Sequence, residues 1–267
     1  MTIDAPRPTL SEEGLRTAAA DLPWRPLEVV ASTGSTNADV AERAERGAAE
    51  GLVLAADEQT AGRGRLGRSW SSPPGASVSV SLLLRPNVPG ESLGWLPLLA
   101  GLAVATALRG AAGADAVLKW PNDVLVRGGS PGKVAGVLLE RSGTAAVIGF
   151  GINTAMTQQE LPVPEASSVL LSCGAAPEPD ALVAACLGEL HDRYQRFTAS
   201  AGDADRSGLA AEYRRSCATL GSQVSVLLPT GERYEGTATD VDGAGRLQVA
   251  ADGDVRVVAA GDVTHLR

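Results

Sequence analysis

Apolar and polar positions along the first 218 residues switch between the two-residue period of strands and the 3.6-residue period of helices. Residues 77–84 interleave serine with valine or leucine and then become wholly apolar, which is typical of a strand that enters a core. The pattern predicts strands over 27–31, 52–56, 77–84, 117–120, 124–126, 134–141 and 145–152. It predicts helices over 8–20, 37–46, 93–109 and 180–198. Helices and strands therefore alternate along this part of the chain.

After residue 220 the pattern changes to short β-rich runs at close spacing, with no helical period. The predicted strands cover 223–228, 234–241, 247–250, 255–259 and 263–266, and turns are predicted at 229–231, 242–243 and 252–253. The pattern predicts an N-terminal extension over 1–26, a large domain of helices and strands over 27–218, and a small β-barrel over 219–267.

The composition supports a folded chain of 267 residues, of which 44% are hydrophobic. A net charge of -8 and a pI of about 4.9 repel polyanions, so non-specific nucleic-acid binding is not expected. The N-terminus lacks the basic start and apolar core of a secretion signal. The apolar window 93–108 is shorter than the ~20 residues of a bilayer span and predicts a buried helix.

Cysteine and histidine are too few to indicate a disulfide framework or a zinc site. Cys173, Cys186 and Cys217 form no CxxC pair, and we expect them to be buried, reduced thiols. His191 and His265 come without a serine elbow, so both are expected to be structural.

The segment 62–70, GRGRLGRSW, concentrates guanidinium groups and glycines within a stretch that has no Asp or Glu from residue 59 to residue 90. Glycines allow the backbone to come close to a ligand, and arginines supply charged donors suited to carboxylate and phosphate oxygens. This segment predicts a flexible loop that binds an anionic ligand. Trp70 at its end offers a flat surface on which a base could stack. A merely solvated arginine loop is the plain alternative.

Two nucleotide-binding motifs fit only in part. Gly62, Gly64 and Gly67 satisfy GxGxxG, but the segment neither opens a helix nor precedes an acid by about 20 residues. Residues 128–133 approach a Walker A loop, yet the spacer is one residue short and Val134 stands where Ser or Thr is needed. Neither a Rossmann fold nor a P-loop is predicted.

Three further stretches carry polar groups at element ends: 35–37 (STN), 119–123 (KWPND), and 133–136 (KVAG) followed by 149–153 (GFGIN). Each also has a structural interpretation. Ser35 suits a helix cap, Lys133 suits a solvated strand end, and Pro121 makes a rigid turn that holds Asn122 and Asp123 after a strand.

In this order, the arginine–glycine segment and these stretches closely resemble the biotin protein ligases, from about residue 27 to residue 267. The resemblance implies the fold class α+β, with a mixed-sheet catalytic domain of the biotin/lipoate ligase type followed by a small SH3-like β-barrel. It implies ATP-dependent biotinylation of a lysine on a biotin carboxyl carrier domain, through a biotinyl-5'-AMP intermediate. Some members carry an N-terminal DNA-binding domain; this chain resembles the short form without it, so no DNA binding is expected.

The resemblance also assigns roles to individual residues. Arg63, Arg65, Lys133 and Asp123 are implied to be catalytic. The biotin contacts implied are Ser35, Thr36, Asn37, Gln59, Gly62, Arg63, Gly64, Arg65, Lys133 and Gly136. The ATP contacts implied are Arg65, Arg68, Trp70, Asn122, Lys133 and Asn153. Asp123 is implied either to assist Mg²⁺ or to accept a proton from the incoming lysine, and a carboxylate suits both tasks.

The implied partner is the biotin carboxyl carrier protein or domain of an acyl-CoA carboxylase, in the cytoplasm and away from membranes. The oligomeric state stays open. A lipoate or octanoate ligase or transferase is the enzymatic alternative, a non-catalytic biotin sensor is another, and an RG-type nucleic-acid-binding protein is the alternative of a different class. The last would require a basic, aromatic-rich surface, whereas only 3% of the residues are aromatic.

Overall fold

A computed structural model of the chain describes residues 7–71, 73–251 and 253–266. Residues 1–6 and Asp252, on which the signal-peptide and one turn prediction fall, lie outside these ranges. The helices are α1 (Glu12–Ala18), α2 (Thr36–Glu45), α3 (Trp95–Ala112), α4 (Val169–Cys173), α5 (Pro179–Ala199) and α6 (Leu209–Ser216). The strands are β1 (Leu27–Thr33), β2 (Val53–Gln59), β3 (Gly62–Arg63), β4 (Ser69–Trp70), β5 (Val78–Leu84), β6 (Asp115–Lys119), β7 (Asp123–Arg127), β8 (Gly132–Ser142), β9 (Ala145–Ile152), β10 (Gln223–Leu227), β11 (Arg233–Val241), β12 (Leu247–Ala251), β13 (Asp254–Val258) and β14 (Asp262–His265).

Seven strands form the main sheet in the order β1-β2-β5-β9-β8-β7-β6. The first pair, β1 and β2, is parallel and the other pairs are antiparallel, so the sheet is mixed. Five antiparallel strands form a second sheet in the order β13-β12-β11-β10-β14. The α+β class, the mixed sheet and the small SH3-like β domain are as predicted.

Helices cover both faces of the main sheet. The apolar side of α2 packs on one face, where Val40 and Ala44 join Leu54, Leu83 and Val147 in a small core. On the other face, α3 and α5 pack together above a larger core that continues into the second sheet. Strands β5 and β9 are buried on both faces, which explains the consecutive apolar residues at 82–84 in β5 and at 145–148 in β9.

Two expectations about the core need correction. The apolar helical segment Gly90–Ala112 has 23 residues, a 3-10 turn over Gly90–Gly94 followed by α3, and is long and apolar enough to cross a membrane by length and composition. Its most apolar window is 72% buried within the protein, as expected for a core helix. Cys186 and Cys217 are buried free thiols, but Cys173 is exposed because the short helix α4 that carries it lies at the surface.

Candidate active site

A cavity of about 840 Å³ opens where the N-terminus of α2, the central strands β5, β8 and β9, and the second sheet meet. The hairpin of β3 and β4 covers one side, and the corner between β6 and β7 closes another. Residues 262–264 of β14 bring the C-terminal sheet to its rim. The volume lies in the range of about 300–1,000 Å³ that is usual for small-molecule sites.

Polar side chains at the start of α2 form one end of the cavity. Ser35 is the N-cap of α2, and its hydroxyl accepts a hydrogen bond of 3.5 Å from the Ala38 N–H. This cap turns the next two side chains inward, where Thr36 and Asn37 are buried. Gln59, at the end of β2, accepts a 2.8 Å hydrogen bond from the Thr36 N–H through Oε1. Residues 35–37 therefore both cap helix α2 and form a polar wall of the cavity.

The arginine–glycine segment folds into a hairpin, where the sequence predicted a flexible loop. Gly62 pairs with Trp70 and Arg63 with Ser69, while Leu66 at the tip has a φ of 56° and is 58% exposed. We call residues 62–70 the flap.

Each of the three flap arginines contacts a different polar residue at or beside the cavity. Arg63 Nη1 lies 3.5 Å from Glu140 Oε1, and Arg65 donates a 3.1 Å hydrogen bond to Asn122 Oδ1. Arg68 forms an ion pair with Asp262 of the C-terminal sheet. Burial lowers the pKa of the Arg65 guanidinium from its ordinary value, and the carboxylates of Asp262 and Asp123 oppose that shift. Arg65 forms no ion pair with a carboxylate of residues 7–71, 73–251 and 253–266, and a partly desolvated cation of this kind is well suited to attract an anion.

Lys133 and Asp123 form an ion pair of 2.6 Å on the floor of the cavity. Lys133 is the second residue of β8 and Asp123 is the first residue of β7, and these neighbouring antiparallel strands bring the two side chains together. The Lys133 ammonium also lies 5.8 Å from the centre of the Trp70 ring. Lys133 is therefore part of the cavity and not a solvated strand end.

Two glycines let Trp70 enter the site. A Cβ on Gly151 would lie 2.5 Å from Trp70 Cε2, and one on Gly136 would lie 3.3 Å from Trp70 Cζ3. The indole therefore packs flat against backbone that carries no side chain.

Two buried polar atoms next to this surface have no hydrogen-bond partner among the described residues: Trp70 Nε1 and Asn153 Oδ1. Asn153 is held in place because its Nδ2 donates a 3.0 Å hydrogen bond to the Ser167 carbonyl. Buried polar groups without partners are uncommon in folded proteins, so this pair indicates a ligand with a donor and an acceptor.

All predicted site residues except Gly62 line the cavity: Ser35, Thr36, Asn37, Gln59, Arg63, Gly64, Arg65, Arg68, Trp70, Asn122, Asp123, Lys133, Gly136 and Asn153. Gly62 serves the flap, since its pairing with Trp70 leaves no room for a Cβ, which would lie 2.3 Å from the Trp70 carbonyl oxygen.

Sequence reasoning missed Glu140, Lys119, Asp262 and Thr264. Lys119, Asp262 and Thr264 line the cavity, and Glu140 contacts Arg63 at its edge. Lys119 belongs to the motif 119–123, so it could have been predicted from the sequence. Glu140 and Asp262 occupy ordinary strand positions, and only the tertiary pairing brings them to the site.

The described residues do not build a resident metal site. No group of three or more His, Cys, Asp or Glu side chains in residues 7–71, 73–251 and 253–266 is placed to hold a metal ion. Asp123 is engaged by Lys133. Magnesium usually binds through one or two carboxylates together with substrate phosphates, so this donor set suits an ion that arrives on a nucleotide.

The fold and the site define the class of biotin and lipoate protein ligases. Residues 29–153 match the Biotin/lipoate A/B protein ligase family, and residues 219–266 match the Biotin protein ligase C terminal domain. Over 271 aligned positions the chain is 43% identical to the biotin–[acetyl-CoA-carboxylase] ligase of Mycobacterium tuberculosis, covering 99% of this chain and 98% of that protein. The chain belongs to the biotin protein ligase family.

Two solved structures agree with this assignment. The biotin protein ligase of Aquifex aeolicus in complex with biotin and ATP is similar with a TM-score of 0.73 and 27% identity, covering 91% of this chain and 99% of that one. The biotin protein ligase of Leishmania major in complex with biotinyl-5-AMP is similar with a TM-score of 0.60 and 26% identity, covering 88% of this chain and 99% of that one.

Proposed function

We propose that this protein joins biotin to a lysine of an acceptor protein at the expense of ATP, through biotinyl-5'-AMP. The observation that carries the proposal is that Arg63, Arg65 and Lys133 line one cavity in a chain 43% identical to a biotin–[acetyl-CoA-carboxylase] ligase. In the first step a biotin carboxylate oxygen attacks the α-phosphorus of ATP, a P–O bond forms, and pyrophosphate leaves. No covalent enzyme intermediate is needed.

The cations make this attack possible because both reactants are anions. Bringing a carboxylate against a phosphate requires their repulsion to be cancelled, and charge-assisted contacts of about 1.5–3 kcal/mol each do so. We propose that Arg63 and Lys133 hold the carboxylate and that Arg65, Arg68 and Asn122 hold the phosphates. Preformed donors of this kind also stabilise the charge that develops on the phosphorus oxygens.

The nucleotide base is proposed to lie beside Trp70 and Asn153. Asn153 Oδ1 has no partner among the described residues and is suited to accept the amino N–H of adenine. The Trp70 indole supplies a flat apolar wall between this point and Lys133. Asn122 lines the same cavity, and we propose that the base and the phosphates bind side by side there.

In the second step the amine of an acceptor lysine attacks the acyl carbon, an amide forms, and AMP leaves. The attacking nitrogen must lose a proton. Asp123 is the carboxylate on the cavity floor and is proposed to take it or to hold Lys133 in position. Mg²⁺ is proposed to enter as the counterion of ATP and not as a resident ion.

The acceptor is proposed to be the biotin carboxyl carrier domain of an acyl-CoA carboxylase, following the name of the relative from Mycobacterium tuberculosis. The setting is proposed to be cytoplasmic. We propose residues 27–218 as the catalytic domain and residues 219–267 as a domain that completes the nucleotide end through β14.

A lipoate or octanoate ligase shares the larger family name but needs a long apolar channel. The end wall here is instead polar, since Thr36, Asn37 and Gln59 line it. An RG-type nucleic-acid-binding protein would keep its arginines free for phosphates, whereas those of the flap already contact Glu140, Asn122 and Asp262.

The test is to supply biotin, lipoate and octanoate separately with Mg·ATP and to look for each acyl-adenylate by mass spectrometry. Biotinyl-AMP and one pyrophosphate per adenylate are expected with biotin alone. Adenylation of lipoate or octanoate in preference to biotin would contradict the proposal. A protein that binds biotin but forms no adenylate would be a sensor.

A further inference from the structure

A chain of short polar contacts joins the end wall of the cavity to β8. The Ser81 hydroxyl oxygen lies 2.7 Å from Thr36 Oγ1 and 2.6 Å from Asn37 Oδ1. Asn37 Nδ2 lies 2.8 Å from Glu140 Oε2, and Thr36 Oγ1 lies 3.0 Å from Gln59 Oε1. Thr36, Asn37 and Ser81 are buried, so their polar atoms depend on one another for hydrogen bonds.

The contact with Glu140 Oε2 fixes the orientation of the Asn37 amide. A carboxylate only accepts hydrogen bonds, so the Asn37 atom that faces it must be the NH₂ group. The carbonyl oxygen of Asn37 then faces Ser81, and the Ser81 hydroxyl must donate to it. Gly149 permits this arrangement, because a Cβ there would lie 2.1 Å from Asn37 Oδ1.

The same count of protons continues to the cavity. Ser81 has one proton and has donated it to Asn37, so the Thr36 hydroxyl proton must bridge the 2.7 Å contact between the two hydroxyls. Gln59 Oε1 lies 3.0 Å from Thr36 Oγ1 and shares this single proton, so Thr36 has none left for a ligand. Thr36 Oγ1 then offers lone pairs to the cavity. Gln59 Oε1 is taken by the Thr36 N–H, so its NH₂ group remains as a donor. The wall thus presents one acceptor and one donor, the complement of a ring N–H and carbonyl of a ureido group.

We infer that Glu140 is a positioning residue that sets, through Asn37 and Ser81, the donor and acceptor pattern by which Thr36 reads the ligand. The inference deepens the proposed function and rests on it, since the ligand is taken to be the ureido ring of biotin. Glu140 does not line the described cavity; it acts from behind the wall, with Oε2 toward Asn37 and Oε1 toward Arg63.

Two substitutions at Glu140 separate the hydrogen bond from the charge. Glu140→Gln and Glu140→Leu both remove the charge next to Arg63, but only glutamine keeps an oxygen that accepts from Asn37. We expect Glu140→Leu to raise the KM for biotin about tenfold, as for a misdirected buried hydrogen bond. We expect Glu140→Gln to stay within about threefold of the parent enzyme, and the KM for ATP to stay unchanged in both. Arg141→Gln, at the exposed neighbouring position of β8, is the surface control.

A double-mutant cycle tests the route through Ser81. Ser81→Ala breaks the same chain, so adding it to Glu140→Leu should raise the KM for biotin little beyond the worse single variant. Ser79→Ala removes a hydroxyl from the same face of β5, two residues away, and lies outside the chain of contacts. Its effect should add to that of Glu140→Leu.

The possible results are distinct. An equal rise in the KM for biotin in Glu140→Gln and Glu140→Leu would overturn the inference, since loss of the Glu140 charge next to Arg63 would then be the cause. Full additivity of Ser81→Ala with Glu140→Leu would also overturn it. Pyrophosphate release from the parent enzyme that does not depend on biotin would instead overturn the proposed function.

Discussion

Among the single residues of the site, Lys133 has the most central position, because it contacts two side chains and also borders the proposed binding place of the substrates. Its ammonium pairs with Asp123 at 2.6 Å, lies over the Trp70 ring and borders the floor where the proposed carboxylate and phosphate meet. Replacing it with alanine removes one charged contact and leaves Asp123 without its cation.

For Lys133→Ala we predict a fall of at least about tenfold in the rate of biotinyl-AMP formation, equal to about 1.4 kcal/mol of transition-state stabilisation. The measurement is pyrophosphate release at saturating biotin and ATP. Unchanged turnover in a variant of normal thermal stability would remove Lys133 from the site.

Gly151 tests whether the Trp70 position matters for the nucleotide. In Gly151→Ala the new Cβ would lie 2.5 Å from the indole, which must move. We predict a rise of about tenfold or more in the KM for ATP, and a loss of stability of about 1–3 kcal/mol from overpacking. Gly110→Ala is the matched control, since nothing lies within 4 Å of a Cβ there and α3 gains helix propensity. Normal ATP kinetics in Gly151→Ala would separate Trp70 from nucleotide binding.

At the scale of elements, we expect the flap to change its mobility most when the substrates bind. Its strands are two residues long, and Leu66 at the tip is exposed with a positive φ. We predict that trypsin cleaves after Arg65 several-fold more slowly when biotin and ATP are bound, because the ligands add partners for Arg63 and Arg65. Rates are compared by mass spectrometry of the released peptides. Equal rates with and without ligands would contradict a flap that orders over its substrates.

The segment before β1 is fastened to the main domain by polar contacts. Arg7 pairs with Glu160 at 2.6 Å, the Leu10 N–H donates to Asp57, and the Ser11 N–H and hydroxyl donate to Asp180. Glu160 also accepts hydrogen bonds from the backbone and side chain of Thr157, near the loop that lines the cavity.

This attachment predicts a pH dependence of stability. The hydrogen bond from Arg7, with those from Thr157, lowers the pKa of Glu160 from its ordinary value of 4.5. A lowered carboxyl pKa contributes stability that is full above 4.5 and is lost as the pH falls through the lower pKa of the folded protein. Glu160→Gln should therefore be less stable than the parent by about 0.5–1.5 kcal/mol at pH 7. Urea unfolding should show that gap closing in acid; a gap independent of pH would refute the assignment.

Most regular elements were predictable from sequence because their buried apolar residues recur with the period of a strand or of a helix. Strands β5 and β9 and helices α3 and α5 are long and apolar, and each was predicted within a few residues of its observed ends. Helices α4 and α6 were missed. The first has five residues, and the second begins after Gly208 without a side-chain cap. The flap hairpin was missed as well, since two-residue strands carry no period.

Site residues were predictable where they belong to a motif with recognisable chemistry. They were less predictable where only the tertiary structure brings them next to the site. The arginines and Lys133 were read directly from sequence. Glu140 became visible only when β8 placed it against Asn37 and Arg63, and Asp262 only when β14 met the flap. Pairing between strands far apart in sequence is the information that local patterns lack.

At the scale of the whole molecule, two tryptophans join the sheets. Trp95 Nε1 donates to the Gly243 carbonyl and Trp120 Nε1 to the Gly245 carbonyl, each at 3.0 Å, so one turn of the C-terminal sheet is held from both sides. The Trp120 N–H also donates to Thr219 Oγ1, whose oxygen lies 3.0 Å from His265 Nε2. Burial, with the charge of Lys119, lowers the pKa of His265, which favours the neutral ring in this contact.

Trp120→Phe should loosen this junction. A smaller aromatic ring remains in this buried position, and the Gly245 carbonyl loses its donor, which alone costs about 1–3 kcal/mol. We predict faster amide hydrogen exchange in residues 219–266 and a higher KM for ATP, since β14 borders the cavity. Trp24→Phe loses a comparable bond, from Trp24 Nε1 to the Leu187 carbonyl, within the main domain, and should not change exchange in residues 219–266 selectively. Equal exchange profiles for the two variants would argue against the coupling.

Among the 23 basic residues of the chain only Lys119 and Lys133 are lysines, and both border the same cavity. The remaining cations are arginines, whose permanently protonated guanidinium groups are poor targets for acylation. A mixed anhydride that escapes from the proposed reaction therefore meets no lysine on the outer surface of its own catalyst. Self-biotinylation of lysine side chains is therefore confined to Lys119 and Lys133 in the cavity. A peptide biotinylated at either lysine would show that the intermediate had reacted with the enzyme instead of the acceptor protein.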